Sequence, residues 1–165
     1  MNATAAGSAQ EKPSGLISSL YRRFQHGSAA LESPFLLLVR LYWGWQFAQT
    51  GWGKLNHLAH VTQFFSSLGI PLPGFNAAFV SGLEFVGGIL LILGIGTRFV
   101  GLLLAVDMIV AYITTDLSAL ASILSDPDKF YSDAAYTFLI ASLIVMIFGA
   151  GRFSLDYLIW RRCDC

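Results

Sequence analysis

Four stretches of the chain, at about residues 34–55, 75–96, 98–117 and 133–150, are apolar over nearly their whole length. Each is close to the roughly 20 residues a helix needs to span about 30 Å of hydrocarbon. In lipid every backbone N–H and C=O must be satisfied within the protein, so only helices and closed barrels can span. The strict alternation of a barrel strand is absent. The expectation is therefore an all-α fold, a four-transmembrane-helix bundle. Composition agrees: 55% of the 165 residues are hydrophobic and only 12% are charged, against about a quarter charged in an average soluble domain. Pro34 suits a helix start, and the breaker run Gly69-Ile70-Pro71-Leu72-Pro73-Gly74 separates the first two spans.

Charge placement sets the expected topology. Lys12, Arg22, Arg23, Arg98, Arg152, Arg161 and Arg162 fall on one side of these spans. Lys54 and Lys129 fall on the other, with Asp116, Asp126, Asp128 and Asp133. The positive-inside rule then predicts that both termini are cytoplasmic. No apolar run in the first 33 residues fits a signal peptide, so no cleavage is expected. Residues 1–33 read as a cytoplasmic arm, Ala, Ser, Gly and Pro rich and disordered over 1–15. Over about 16–24, Leu16, Ile17, Leu20 and Phe24 recur at helical spacing beside Arg22 and Arg23. That pattern predicts a short amphipathic helix, either on the inner membrane surface or docked on a partner. Residues 34–158 make up the membrane domain and 159–165 a cytoplasmic tail. The net charge is zero and the basic residues are scattered, which excludes an electrostatic case for nucleic acid.

Three charges interrupt the apolar stretches: Arg40, Glu84 and Asp107. A charge at mid-bilayer costs about 2.5–3.5 kcal/mol on translocon-insertion scales, so it persists with a partner or a purpose. Counting helical rise from the cytoplasmic face places Arg40 roughly 9 Å in, Asp107 roughly 13 Å and Glu84 roughly 18 Å. These depths lie within reach of an arginine, whose planar fork could bridge both acids. One cation against two anions leaves a surplus negative charge, which low dielectric relieves by keeping one carboxyl protonated. Two readings stand: a structural network that orients the bundle, or a substrate or proton site. Arg40, Gly44, Phe47, Gly51 and Lys54 share one helical face, as do Glu84, Gly87, Gly88 and Leu91. Such a stripe serves close helix packing or lines a ligand groove.

Several chemistries find no support. Haem between helices needs axial ligands in the spans, and no histidine lies in them. There is no Cys-x-x-Cys, and Gly94-Ile95-Gly96 followed by Gly101 misses the dinucleotide spacing, so no nicotinamide or flavin motif is present. No metal site is expected: His57 and His60 are only two ligands, and Cys163-Asp164-Cys165 is too short a set in a reducing compartment.

The motifs taken together resemble a family. They are Arg40-Leu41-Tyr42-Trp43-Gly44, then Gln49-Thr50-Gly51-Trp52-Gly53-Lys54-Leu55, Gly69-Ile70-Pro71, and Glu84-Phe85-Val86-Gly87-Gly88. Leu93-Gly94-Ile95-Gly96-Thr97-Arg98 and Gly149-Ala150-Gly151-Arg152-Phe153-Ser154-Leu155-Asp156 complete the series. Over about residues 34–158 the chain resembles the DoxX family of small four-helix membrane proteins, which includes DoxD-like subunits of thiosulfate:quinone oxidoreductase. The resemblance implies a multi-pass protein of the bacterial inner membrane, associated with redox systems, and it covers Arg40 and Glu84. Asp107 and the cysteine tail match none of its motifs. The expected function is a subunit of a quinone-linked membrane oxidoreductase. Arg40, Glu84 and Asp107 would be its catalytic candidates, and Trp43, Phe47 and Phe85, with Tyr42, would flank a quinone ring. No redox centre is recognisable in the chain, so electrons would come from a partner or from substrate. The alternatives are a non-catalytic accessory or assembly subunit, and a small transporter, for which neither an inverted repeat nor a broken span is visible. Partners would be lipid and other membrane or redox subunits, or further copies of the chain.

Overall fold

The computed structural model describes residues 16–115, 117 and 125–163. The expectations for residues 1–15, Asp116 and Cys165 lie outside the described residues, as do the side chains of Lys129, Arg161, Arg162 and Cys163. Packing divides the chain into two units, Met1–Glu32 and Ser33–Cys165.

Among the described residues the fold is all helical. Helix α1 covers Leu16–Asn56, α2 Leu58–Ser67, α3 Pro73–Leu93 and α4 Thr97–Thr115. After the undescribed stretch come α5 (Pro127–Ser132), α6 (Ala134–Phe148) and α7 (Leu155–Cys163). In the first unit Leu20, Tyr21 and Phe24 are exposed, and Ser28 Oγ donates to the carbonyls of Phe24 and Gln25. The helix start expected at Pro34 is not there: Pro34 lies inside α1. The run Ala29-Ala30-Leu31-Glu32 ahead of it is made of strong helix formers, which offset the lost ladder donor and the crowding of the carbonyl four residues back that an interior proline brings.

Small residues decide how the second unit packs. A Cβ on Gly44 would stand 2.8 Å from Gly88 O, and one on Gly88 would stand 2.5 Å from Ala48 N and from Gly44 O. One on Gly51 would strike the backbone nitrogen of Phe85. The stripe shared by Gly44, Gly51 and Gly88 is therefore a backbone-to-backbone seam between α1 and α3, running antiparallel. Of the two readings of that stripe, close packing is the one realised. Gly101 makes a similar approach between α4 and α6, 3.0 Å from Met146 N and Ser142 O. Around these seams Phe47, Leu91, Val100, Leu104, Met108 and Val145 form the core, contributed by α1, α3, α4 and α6.

Helices α3 and α4 are long and apolar enough to cross a membrane, and α6 is a shorter apolar helix. Only 33% and 39% of their most apolar windows are buried. Most of that apolar surface therefore points outward: Phe79, Val86 and Ile89 on α3, Phe99, Val106 and Ile113 on α4. The inward faces carry Ser81, Glu84 and Asp107. This inverts a soluble core helix, and it is how a helix solvated by lipid is built.

Candidate functional site

Among the described residues of the second unit two polar clusters stand out, and they are separate. The first forms where α3 ends. The last-turn carbonyls of a helix lack intrahelical donors, and Gly94, with φ 73°, closes α3 by donating to Leu90 O and Leu91 O. Arg40, buried to 1% exposure, supplies further donors. Its Nε donates to Leu91 O at 2.9 Å and its Nη2 to Ile92 O at 3.2 Å. Its Nη1 donates to Phe153 O at 3.0 Å and also to Ala150 O. A guanidinium at a helix C-terminus also meets the negative end of the dipole.

Asp156 does the converse at the start of α4. Its Oδ1 accepts from Gly96 N at 2.9 Å, and its Oδ2 accepts from Thr97 N at 3.1 Å and Thr97 Oγ1 at 2.9 Å. Its own N–H donates to Gly94 O at 2.9 Å. The charged neighbour of Arg40 is accordingly Asp156, not either intramembrane acid. The expected bridge from Arg40 to Glu84 and Asp107 is not formed. The expectation rested on depth alone, and it overlooked the free carbonyls at the end of α3, which lie closer to hand.

The second cluster is built by Lys54, Glu84 and Asp107. Lys54 Nζ stands 2.6 Å from Glu84 Oε1, an ion pair in which Glu84 is almost fully buried. By helical rise Lys54 lies about 21 Å along α1 from Arg40. Asp107, on α4, lines the same cavity as Lys54 and Glu84. Two carboxylate oxygens, Glu84 Oε2 and Asp107 Oδ2, are buried and have no hydrogen-bond partner among the described residues. An unpaired buried acceptor of this kind costs about 1–3 kcal/mol, more when charged, and is expected to have a compensating use.

Both acids line a cavity of about 640 Å³, within the usual size range of small-molecule sites. Helix α2 contributes Val61, Phe64, Phe65 and His60 to its wall. The turn to α3 adds Ile70 and Pro71, and α4 adds Met108, Val110, Ala111 and Thr114. Asn76 also lines it, with Nδ2 donating to Pro71 O at 2.6 Å. A smaller cavity of about 170 Å³ shares Lys54, Glu84 and Met108 and is otherwise lined by Phe47, Thr50, Ala134, Ala135 and Phe138. The ion pair thus stands between two chambers.

Of the sequence-derived candidates, Glu84 and Asp107 come together and Arg40 does not join them. None of Trp43, Phe47 and Phe85 lines the larger cavity. Trp43 and Phe47 pack edge-on to Phe138, with centroids 5.2 and 4.6 Å away, and Phe85 lies 5.3 Å from Trp52. Tyr42 is mostly exposed. The aromatic wall comes from Phe64 and Phe65, which sequence reasoning passed over because the segment after His57 reads as an outer connection. Lys54 was visible as a member of the Arg40 face, and Gly51-Trp52-Gly53-Lys54 was the signal that it travels with the α1–α3 seam. His57 Nδ1 pairs with Gly53 O at 2.9 Å, whereas His60 faces the larger cavity.

A lipid-solvated helical protein with a buried acid pair under an apolar cavity is the class these features define. The chain belongs to the DoxX family, which it matches over residues 35–117. It is 32% identical over 125 residues to a Bacillus subtilis (strain 168) protein named "Putative oxidoreductase CatD", covering 76% of this chain and 87% of that one. It is also 35% identical over 75 residues to the Escherichia coli (strain K12) "Inner membrane protein YqjF", covering 46% of this chain and 56% of that one. No solved structure matches it significantly. The matched residues include Arg40, Lys54, Glu84 and Asp107, and they stop short of Asp156.

Proposed function

We propose that this protein is a multi-pass subunit of a quinone-linked oxidoreductase in a bacterial inner membrane, with the quinone ring held in the cavity over Lys54, Glu84 and Asp107. In this reading the second part of α1 and helices α3, α4 and α6 all cross the bilayer, with both termini cytoplasmic as the positive-inside rule predicts. The observation that carries the site is the pair of buried, unpartnered carboxylate oxygens opening onto an apolar cavity. The name of the Bacillus subtilis relative adds the oxidoreductase class. A bound quinone supplies two-electron, two-proton redox chemistry. The residues present fit such a ring: Phe64, Phe65 and Met108 offer apolar faces, and Lys54 is a donor beside two carboxyl groups. Glu84 Oε2 and Asp107 Oδ2 face the ring as buried oxygens that have no protein partner among the described residues. Arg40 has no part in this site.

The test is purification in lipid nanodiscs followed by titration with short-chain quinone, read by tryptophan fluorescence, alongside Ala111→Trp, which fills the cavity. Saturable binding to the native protein, lost in Ala111→Trp, supports the reading. Absence of binding, or binding untouched by the blocked cavity, sinks it.

One observation favours a second reading, an accessory subunit that assembles a larger complex. Arg40, the largest fully buried side chain among the described residues, spends four hydrogen bonds on holding backbone together. Under that reading Lys54 and Glu84 substitutions leave a co-purifying complex and its activity intact, while deletion of the chain dissolves it.

A further inference from the structure

Glu84 Oε1 is engaged by Lys54 Nζ at 2.6 Å, which makes Glu84 the anionic half of an ion pair. Its second oxygen, Oε2, can therefore only accept a hydrogen bond, and none reaches it from the described residues. Asp107 Oδ2, on the neighbouring helix, likewise meets no hydrogen-bond partner among the described residues. Both residues are more than nine-tenths buried, and both face the same cavity. The walls around them are apolar, with Phe64, Phe65 and Met108 among them.

A ligand that satisfies such a floor must bring a donor. Resting on the proposed quinone site, we infer that the cavity selects the reduced, hydroxyl-bearing form of the ring, the quinol, over the quinone. A quinone offers only carbonyl acceptors, and one of them beside Glu84 Oε2 sets acceptor against acceptor. A quinol hydroxyl donates to Glu84 Oε2. The same hydroxyl also suits Asp107 in either protonation state, because a hydroxyl both donates and accepts. The Lys54 charge offsets one of the two acids, so a neutral diol fits the remaining acceptor demand without adding charge to the apolar walls. The selectivity resides in binding and requires no electron acceptor.

Three ligands with the same ring and tail distinguish the cases: short-chain quinol, its quinone, and the quinol dimethyl ether, which retains the ring and has no donor. Titrations run anaerobically in nanodiscs, read by tryptophan fluorescence and by calorimetry. The quinol is expected to bind about ten- to a hundredfold tighter than either of the others, the worth of one hydrogen bond to a charged group. Glu84→Gln places a donor amide beside the ring while keeping an oxygen for Lys54, and it should abolish or reverse the preference. Equal binding of quinol and dimethyl ether by the native protein overturns the inference yet leaves the quinone site standing. An unchanged preference in Glu84→Gln does the same. Failure of all three ligands to bind removes the site itself. The ether comparison needs no variant, so it holds even where Glu84→Gln does not fold.

Discussion

Replacing Arg40 by methionine separates the two roles an intramembrane arginine can have. The guanidinium donates to four backbone carbonyls, those of Leu91, Ile92, Ala150 and Phe153. Bonds from charged donors are worth about 1.5–3 kcal/mol each when taken singly. The sum overshoots, because Leu91 O also accepts from Gly94 N and part of this cluster is only half-buried, so freed carbonyls can find water. A buried carbonyl left without its donor costs about 1–3 kcal/mol, and with some of the four rescued in these ways the expected destabilisation is about 3–5 kcal/mol. For a chain of this length it lowers Tm by on the order of 10 °C. The assay is thermal unfolding in detergent, paired with quinol titration of the folded fraction. Binding should be close to native, because the cavity belongs to the other end of α1. A variant with native Tm that has lost binding would refute the reasoning and return Arg40 to the ligand site.

The ion pair makes a second test: Lys54→Met leaves Glu84 as a lone buried charge and should cost about 3–5 kcal/mol, whereas Lys54→Met with Glu84→Leu should recover most of it, as read by a double-mutant cycle on Tm. Gly88→Ala should destabilise by about 1–3 kcal/mol or more, since its Cβ would meet backbone that cannot turn aside. Gly82→Ala, where a Cβ meets nothing within 4 Å, is the matched control and should unfold at or slightly above the native temperature. Asp156→Ala removes three bonds at the start of α4 and should cost about 1–2 kcal/mol by the same unfolding assay, the upper range for loss of a helix N-cap.

The rules that made the helices legible are the ones lipid imposes: apolar length, breaker runs and the demand that backbone be satisfied. Glu84 and Asp107 were legible for the same reason, because a carboxylate in an apolar stretch needs an explanation. Arg40 was flagged by the same rule, but the bridge to both acids expected of it is not formed, since a guanidinium goes to the nearest unsatisfied acceptors, and helix ends supply them without any acidic residue. Gly94-Ile95-Gly96 announces that α3 stops there, and a helix stop is also a statement that carbonyls are free. The aromatic wall from α2 was not legible. Residues 58–67 form a short segment, preceded by His57 and carrying His60, with no fully buried position, so nothing in their pattern shows that Phe64 and Phe65 face a cavity. Pro34 misled for a local reason: proline favours a first turn, yet a preceding run of helix formers can carry α1 through it.

The Arg40 clamp has a consequence for the order in which the protein can be made. Two of its four acceptors, Ala150 and Phe153, lie more than a hundred residues downstream. At roughly 5–20 residues per second they emerge about 5–20 s after the arginine itself. Until then the first apolar helix carries a cation whose bonds are incomplete, and insertion of that helix stays provisional. Residues 150–153 thus complete the bonds of a helix made long before them, so a product truncated before residue 150 keeps a buried arginine two acceptors short.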